Sequence, residues 1–235
     1  MLRGRNRVAT VAATVVAAAM IGPAGAAAAP SQVSLVIDQG DPNDMPPHGV
    51  LRLEADPHDP TPRQIVVTSV EDGAYLLRDS AGIQIAPAWP GTEHDAQCSE
   101  LHPYLVRCAP TTAEPLGELD VRGGGGRDWI DVRVTRSSVR NLVDGRRGPD
   151  RILGSDGEEI ALGGAGNDVL IGYGGRDLLN GGGGADTIRS RDGLRDQISC
   201  GRGDGRREKA IRDRWDTKIT IVVGGAWEQT EPISC

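Results

Sequence analysis

A chain of 235 residues with 33 glycines, no phenylalanine and only 3% aromatic side chains lacks the bulky apolar stock of a conventional globular core. It suits a solenoid better, in which each rung buries a small aliphatic ladder. The net charge of −7, with no block of basic residues on one arm or face, argues against a nucleic-acid partner.

Residues 1–28 read as a secretion signal: Arg3, Arg5 and Arg7 open it, Val8 to Ile21 form an apolar run, and Ala26-Ala27-Ala28 fits a small-residue cleavage site. The run is shorter than the roughly 20 residues a membrane span needs. Cleavage near Ala28 would release a secreted, extracellular protein without a membrane span, its net charge moved from −7 to −10 by the loss of three arginines. Residues 29–115 carry short β-favouring runs at Val33 to Ile37, Val50 to Leu53, Gln64 to Val70, Ala74 to Leu77 and Ile83 to Ile85, separated by proline-rich connections. The expectation is an antiparallel β-cap or an irregular first part of the solenoid. Asp38, Asp41 and Asp44 form an acidic cluster without the spacing of an EF-hand loop. In an exported protein the four cysteines are expected to be oxidised, by the local pairings Cys98–Cys108 and Cys200–Cys235, among three formal connectivities.

From Gly145 to Arg189 the chain divides without a gap into five nine-residue units: GRRGPDRIL, GSDGEEIAL, GGAGNDVLI, GYGGRDLLN and GGGGADTIR. Glycine holds the first and fourth places of every unit, and the sixth is always acidic: Asp150, Glu159, Asp168, Asp177 and Asp186. The eighth is aliphatic at Ile152, Leu170, Leu179 and Ile188, with Ala161 the weak member. Shuffling the glycines of this window would fill one chosen frame about once in three million trials, so the period is real. Gly123 to Asp131 makes a separate unit with Asp128 in the acidic place and Trp129 in the outward seventh place. Val132 to Leu142 lacks the glycines and reads as strand. After Arg189 the frame slips by one residue, and RDGLRDQIS restores Asp196 and Ile198 to the sixth and eighth places. The tail from Arg206 offers one strand, Lys218 to Val223, and is the natural cap for the open end of a solenoid.

The nonapeptide is similar to the GGxGxDxUx repeat of the RTX (repeats-in-toxin) family. The order of a β-rich leader, a Cys98 to Cys108 segment, a strand and then repeats resembles secreted bacterial RTX calcium-binding proteins over most of residues 70–208. Cys200-Gly201-Arg202-Gly203-Asp204 resembles the closing segment of such arrays, with Asp204 one residue early. The resemblance implies an all-β fold: a parallel β-roll or β-solenoid with calcium-binding glycine turns, preceded by a β-rich N-terminal region and closed by a C-terminal cap. The expected division is a signal peptide over 1–28, a β-rich region over 29–115, the roll over 116–199 and a disulfide-tied cap over 200–235.

The physical logic of the repeat is independent of the family. The last three residues of a unit can form a short strand whose middle side chain points inward, and the first six must turn the chain back. Two units, eighteen residues, complete a coil, so residues eighteen apart stack about 4.8 Å apart. Asp150, Asp168 and Asp186 then line one edge, and Glu159, Asp177 and Asp196 the other. Two carboxylates at that spacing repel by roughly 3–4 kcal/mol at an effective dielectric near 20, a conflict that a cation removes. Calcium accepts six or more oxygens from carboxylates and backbone carbonyls together, whereas magnesium suits an all-protein cage badly.

Carried over by resemblance, the metal set is Asp150, Glu159, Asp168, Asp177 and Asp186 with Gly148, Gly157, Gly163, Gly164, Gly166, Gly175, Gly182 and Gly184. Asp128 and Asp196 are outlying members, and about three calcium ions, within a range of two to four, are implied.

Catalytic motifs do not emerge. His48, His58, His94 and His102 have no metalloprotease spacing, and neither a nucleophile elbow nor a Walker loop occurs. Arg202-Gly203-Asp204 spells an adhesion tripeptide inside the closing segment, where coincidence explains it best. The sequence therefore reads as a secreted, non-catalytic calcium-binding protein whose roll folds on extracellular calcium. The alternatives are a cell-envelope or adhesion module using the roll as a stiffened spacer, and a small hydrolase with its site in 29–115.

Overall fold

The structure, a computed structural model, describes residues 28–38, 48–70, 73–85, 97–109, 116–134, 139–201, 209–218, 220–222 and 226–228. The expected signal peptide (all but residue 28), Asp41, Asp44, His94, Arg202 to Asp204 and Cys235 lie outside them. The described residues form twenty strands and no helix. None of them forms a helix long and apolar enough to cross a membrane.

The nine-residue units become the rungs of a parallel roll. Strands β11 (Arg151–Leu153), β13 (Val169–Ile171), β15 (Thr187–Arg189) and β16 (Gln197–Ser199) are three residues long. Strands β12 (Glu159–Ala165) and β14 (Leu178–Gly183) run on into their glycine turns, where Gly164 lies opposite Gly182. Parallel pairing joins Ile152 to Leu170 and Leu170 to Ile188 in one sheet, and Ala161 to Leu179 in the other, each a step of eighteen residues. The step lengthens where the glycines fail: Ile130 pairs with Ile152, Val121 with Val143, Leu179 with Ile198, and Ile188 with Ala210.

The leader contributes the first coil. Strand β2 (His48–Glu54) pairs in parallel with β8 (Leu116–Arg122), and β3 (Gln64–Ser69) with β9 (Trp129–Arg133). Strands β1 (Ser31–Asp38), β4 (Tyr75–Asp79), β6 (Gln97–His102) and β7 (Leu105–Ala109) then close that end by antiparallel pairing, and β5 (Ile83–Ile85) lies parallel to β1. Both alternatives expected for the leader are thus realised in one region. Cys98 and Cys108 are bonded across β6 and β7; Cys200 is also disulfide-bonded.

Val132 to Leu142, expected as one strand, supplies the end of β9 and the start of β10 (Arg140–Asp144), with 135–138 outside the described residues. At the far end, β17 (Lys209–Ile211) and β18 (Thr217–Lys218) add the last rungs. Strands β19 (Thr220–Val222) and β20 (Ala226–Glu228) pair with each other. The single strand expected over Lys218 to Val223 is therefore shared between two sheets, because Lys218 joins the parallel ladder of the roll while Thr220–Val222 pair with β20.

Two aliphatic ladders form the core. In one sheet Leu53, Val121, Val143, Ala161, Leu179 and Ile198 are in register, and in the other Ile65, Ile130, Ile152, Leu170 and Ile188. All belong to one buried cluster, in which burying each large aliphatic side chain stabilises by about 1.5–3 kcal/mol. The small Ala161 is the thin rung between Val143 and Leu179. With the core fixed by the eighth positions, the sixth positions fall at the two edges of the sheets.

Candidate metal centre

Each edge carries a column of acids one rung apart. The residue before a rung strand cannot point into the aliphatic core, and it is held at the mouth of the turn by its own backbone pairing. Along the first edge Asp128 N–H donates to Asp150 Oδ1 (2.7 Å), Asp150 N–H to Asp168 Oδ1 (2.8 Å), and Asp168 N–H to Asp186 Oδ1 (2.9 Å). Along the second, Glu159 N–H donates to Asp177 Oδ1 (3.0 Å), Asp177 N–H to Asp196 Oδ1 (2.9 Å), and Asp196 N–H to Asp216 Oδ1 (3.2 Å). One oxygen of every stacked carboxylate is thus spent on locking it to the rung before. All these acids are buried.

The second oxygens separate the acids into two kinds. Oδ2 of Asp150, Asp168, Asp177 and Asp196 is buried with no hydrogen-bond partner. A buried anionic oxygen left in that state carries a desolvation cost that nothing in the protein offsets. Accordingly, burial, with neighbouring carboxylates adding to it, pushes Asp150 and Asp177 up to about 8 and Asp168 and Asp196 up to about 6. Asp128, Glu159 and Asp216 are instead satisfied by protein groups. Asp128 Oδ2 accepts from Gly124 N–H (2.7 Å), Glu159 from Asn141 Nδ2 (2.7 Å) and from Ser155, and Asp216 Oδ2 from Ser190 Oγ (3.0 Å).

The glycines complete the cradle. A Cβ on Gly172, the first residue of its unit, would stand 2.2 Å from Asp177 Oδ2, and one on Gly163 would stand 2.6 Å from Asp168 Oδ2 and 2.4 Å from the Gly181 carbonyl oxygen. Gly175 differs in kind: its φ of 116° is left-handed, and a Cβ there would lie 2.0 Å from the Gly157 carbonyl oxygen of the rung before. Gly148, Gly164, Gly166, Gly182 and Gly184 share the positive φ, as do the non-glycine residues Arg146 and Tyr173, while Gly157 and Gly163 do not. Among the described residues no three His, Cys, Asp or Glu side chains gather at one point. A cation at these edges would therefore take single carboxylates from stacked rungs and most of its oxygen from turn carbonyls, a hard donor set suited to calcium.

The acids of the regular array thus fall on the two edges at the eighteen-residue step, and Asp128 and Asp196 join the same columns at steps of 22 and 19 residues. Four that reasoning from sequence missed are Arg63, Asn141, Ser190 and Asp216, which sit at the ends of the columns. Asp216 had a signal, an acid just before a β-favouring run about one coil after Asp196, but no glycines marked it. Trp129 faces outward, 46% exposed, with the Arg151 guanidinium 5.5 Å over its ring.

A stack of parallel rungs with buried acids at both edges defines a repeat roll of the cation-binding kind. Residues 140–169 and 153–188 match the family model of the RTX calcium-binding nonapeptide repeat (4 copies), and this stretch of the chain is an RTX repeat roll. No curated protein and no solved structure matches the chain.

Proposed function

We propose that the protein is a secreted, non-catalytic calcium-binding protein whose roll folds when it meets extracellular calcium. The observation that carries this reading is the set of buried, unpartnered oxygens on Asp150, Asp168, Asp177 and Asp196, the first three of which face turn glycines, Gly145, Gly163 and Gly172, with no room for a Cβ. Asp150, Asp168 and Asp186 would hold ions along one edge with carbonyls of the Gly148, Gly163, Gly164, Gly166, Gly182 and Gly184 turns. Asp177 and Asp196 would do so along the other with the Gly157 and Gly175 turns. Glu159 and Asp128 belong to the same columns, although protein donors already engage them.

When bound, calcium supplies positive charge and exchangeable coordination that neutralise the stacked carboxylates. The chain's own part is to align the oxygens through the backbone bonds to each Oδ1 and to exclude water by the aliphatic ladders. Folding coupled to binding then follows by mass action, and extracellular calcium suffices for sites with dissociation constants of about 10⁻⁴ to 10⁻³ M. RTX calcium-binding repeats are usually found in secreted proteins, in keeping with the basic and apolar start of the chain and its oxidised cysteines. The division into signal peptide, 29–115, 116–199 and 200–235 is part of the same proposal.

Calorimetric calcium titration of the wild type and Asp168→Ala tests it. About three ions are expected for the wild type, with fewer or weaker sites in the variant, because Asp168 serves two stacked rungs. Equal stoichiometry and affinity would overturn the assignment. One observation favours a cell-envelope module as a second reading: exposed Trp129 and Tyr173 line a cleft of about 470 Å³ with Arg133 and Arg151. Pull-down on cell-wall material with and without chelator separates the two.

A further inference from the structure

Each acid column begins, at its N-terminal end, in a group that is not an acid. The register of Gln64 with Trp129 puts Arg63 in the place before the rung, one level ahead of Asp128. Its side chain is fully buried. Nη1 contacts Asp79 Oδ2 at 2.9 Å and Ser31 Oγ at 3.3 Å, and Nη2 contacts Asp59 Oδ2 at 2.6 Å and the Ala29 carbonyl oxygen at 2.5 Å. Asp79 also receives Ser31 Oγ and the Ala81 N–H (2.9 Å), so the first coil and the cap strand β4 close around one permanent cation. Arg63 N–H donates to Asp128 Oδ1 at 3.0 Å, and Gly124 N–H fills Asp128 Oδ2. The first acid of this column is satisfied before any metal arrives.

The second column begins the same way with neutral groups. Asn141 lies in register with Glu159 and donates Nδ2 to its Oε1 at 2.7 Å, while Ser155 gives Oε1 its hydroxyl and Oε2 its N–H at 3.1 Å. Carboxylate oxygens without partners begin one rung later, at Asp150 on one edge and Asp177 on the other, while Arg63 Nε and Asn141 Oδ1 are themselves buried without a hydrogen-bond partner. A roll that depended on calcium from its first coil would show unsatisfied carboxylate oxygens there as well.

We infer that Arg63 on one edge and the Asn141–Ser155 pair on the other take the place of calcium at the start of the columns. They are positioning residues that set where the metal requirement begins. Resting on the calcium reading above, this makes the coil of β2, β3, β8 and β9, with β10 paired on β8, a metal-independent template, and calcium adds the coils of β11 to β16 onto it in order. The β-rich cap is then the fixed base of a calcium-driven extension. Secretion into calcium would complete a half-built roll without requiring a new nucleus.

Amide hydrogen exchange of the full chain, in chelator and in millimolar calcium, tests the inference. Protection over 48–69, 116–134 and 139–144 is expected in both conditions, and protection over 151–199 only in calcium. Simultaneous loss of both regions in chelator would overturn the template while leaving calcium binding intact. Protection of 151–199 that ignores calcium would overturn the calcium reading itself.

Arg63→Gln should abolish the chelator-state protection of 48–69 and raise the calcium needed for half-maximal protection of 151–199 at least about threefold, with full protection recovered at saturating calcium. Arg63→Lys, which keeps the charge, should restore part of both. If Arg63→Gln changes neither the chelator-state pattern nor the calcium midpoint, Arg63 has no such role. Asn141→Asp provides the converse: it replaces a donor to Glu159 by a carboxylate, so protection of 139–144 should become calcium-dependent, and an unchanged pattern would refute the part assigned to Asn141.

Discussion

Replacing Gly172 by alanine is a steric strike on one carboxylate. The added Cβ would meet Asp177 Oδ2 at 2.2 Å, with Asp177 Cγ at 3.3 Å and Leu179 Cδ1 at 3.4 Å as its next neighbours. Backbone conformation is not in play, because the φ of Gly172 is not left-handed. The carboxylate must retreat by about 1 Å to reach ordinary contact, which breaks the 3.0 Å bond from Glu159 N–H to Asp177 Oδ1. A buried N–H left without a partner costs about 1–3 kcal/mol. A tenfold loss of calcium affinity at the displaced oxygen would add about 1.4 kcal/mol. Urea unfolding in saturating calcium should therefore show Gly172→Ala destabilised by about 2–4 kcal/mol. Gly183→Ala is the control, since the nearest atom to its Cβ stands at 4.0 Å. Equal stability of the two variants would refute the steric account. A double-mutant cycle with Asp177→Ala sharpens it: once the carboxylate is gone the added methyl meets little, so Gly172→Ala/Asp177→Ala should match Asp177→Ala alone.

The stacked acids also make the metal-free roll acid-stabilised. Folded Asp150 and Asp177 are raised to about 8, and Asp168 and Asp196 to about 6, above the ordinary value of 3.8. The folded state thus binds more protons between these limits, and its stability falls as pH rises from about 4 to about 8. In chelator, circular dichroism should show more β-structure at pH 5 than at pH 8, and in calcium the order should reverse; greater structure at pH 8 in chelator would contradict the burial of these groups. Proton release on calcium addition, read by calorimetry in buffers of different ionisation heat, is expected near pH 7. Reduction of the Cys98–Cys108 bond should destabilise the cap by about 3 kcal/mol, the loop-closure value for so short a link. Exchange protection of 151–199 in calcium should be unchanged by it.

Much of the fold was legible because the glycine period, the acid and the aliphatic place all repeat together. The spacing alone implied an eighteen-residue coil, and Ile152, Leu170 and Ile188 stack at that step. The same spacing assigned Asp168 and Asp177 to opposite edges. Two column ends were not legible, since Arg63 and Ser190 act only through rungs that longer, irregular coils bring together; Asn141 lies one regular eighteen-residue step before Glu159 but in a stretch without the glycines that mark the frame. Nothing in the sequence near Arg63 marks it as the occupant of a sixth place, because its rung partner, Asp128, is sixty-five residues away. The leader was likewise readable as strands but not as a coil: β2 and β3 pair with strands separated from them by the whole cap. Periodicity reports local steps, and the ends of a solenoid are made by distant ones.

The first and fourth glycines of a unit look equivalent in sequence but answer to different forces. At Gly172 the missing Cβ makes room for the unit's own carboxylate. At Gly175 it makes room for the main chain of the rung before: the Gly157 carbonyl oxygen at 2.0 Å and its carbon at 2.6 Å, with φ already left-handed at 116°. Neither backbone atom can move without parting the two turns, and a left-handed φ costs an alanine about 1–2 kcal/mol before any contact is counted. Gly175→Ala should therefore be more damaging than Gly172→Ala. Removal of the carboxylate should not rescue it, although Asp177 Oδ1 lies only 3.1 Å from the same Cβ. In urea unfolding with calcium, Gly175→Ala/Asp177→Ala is expected to lose about the sum of the two single effects, whereas the Gly172 pair loses only one. Rescue at both positions would mean that the turn glycines serve the acid alone, and rescue at neither would mean that they serve the backbone alone.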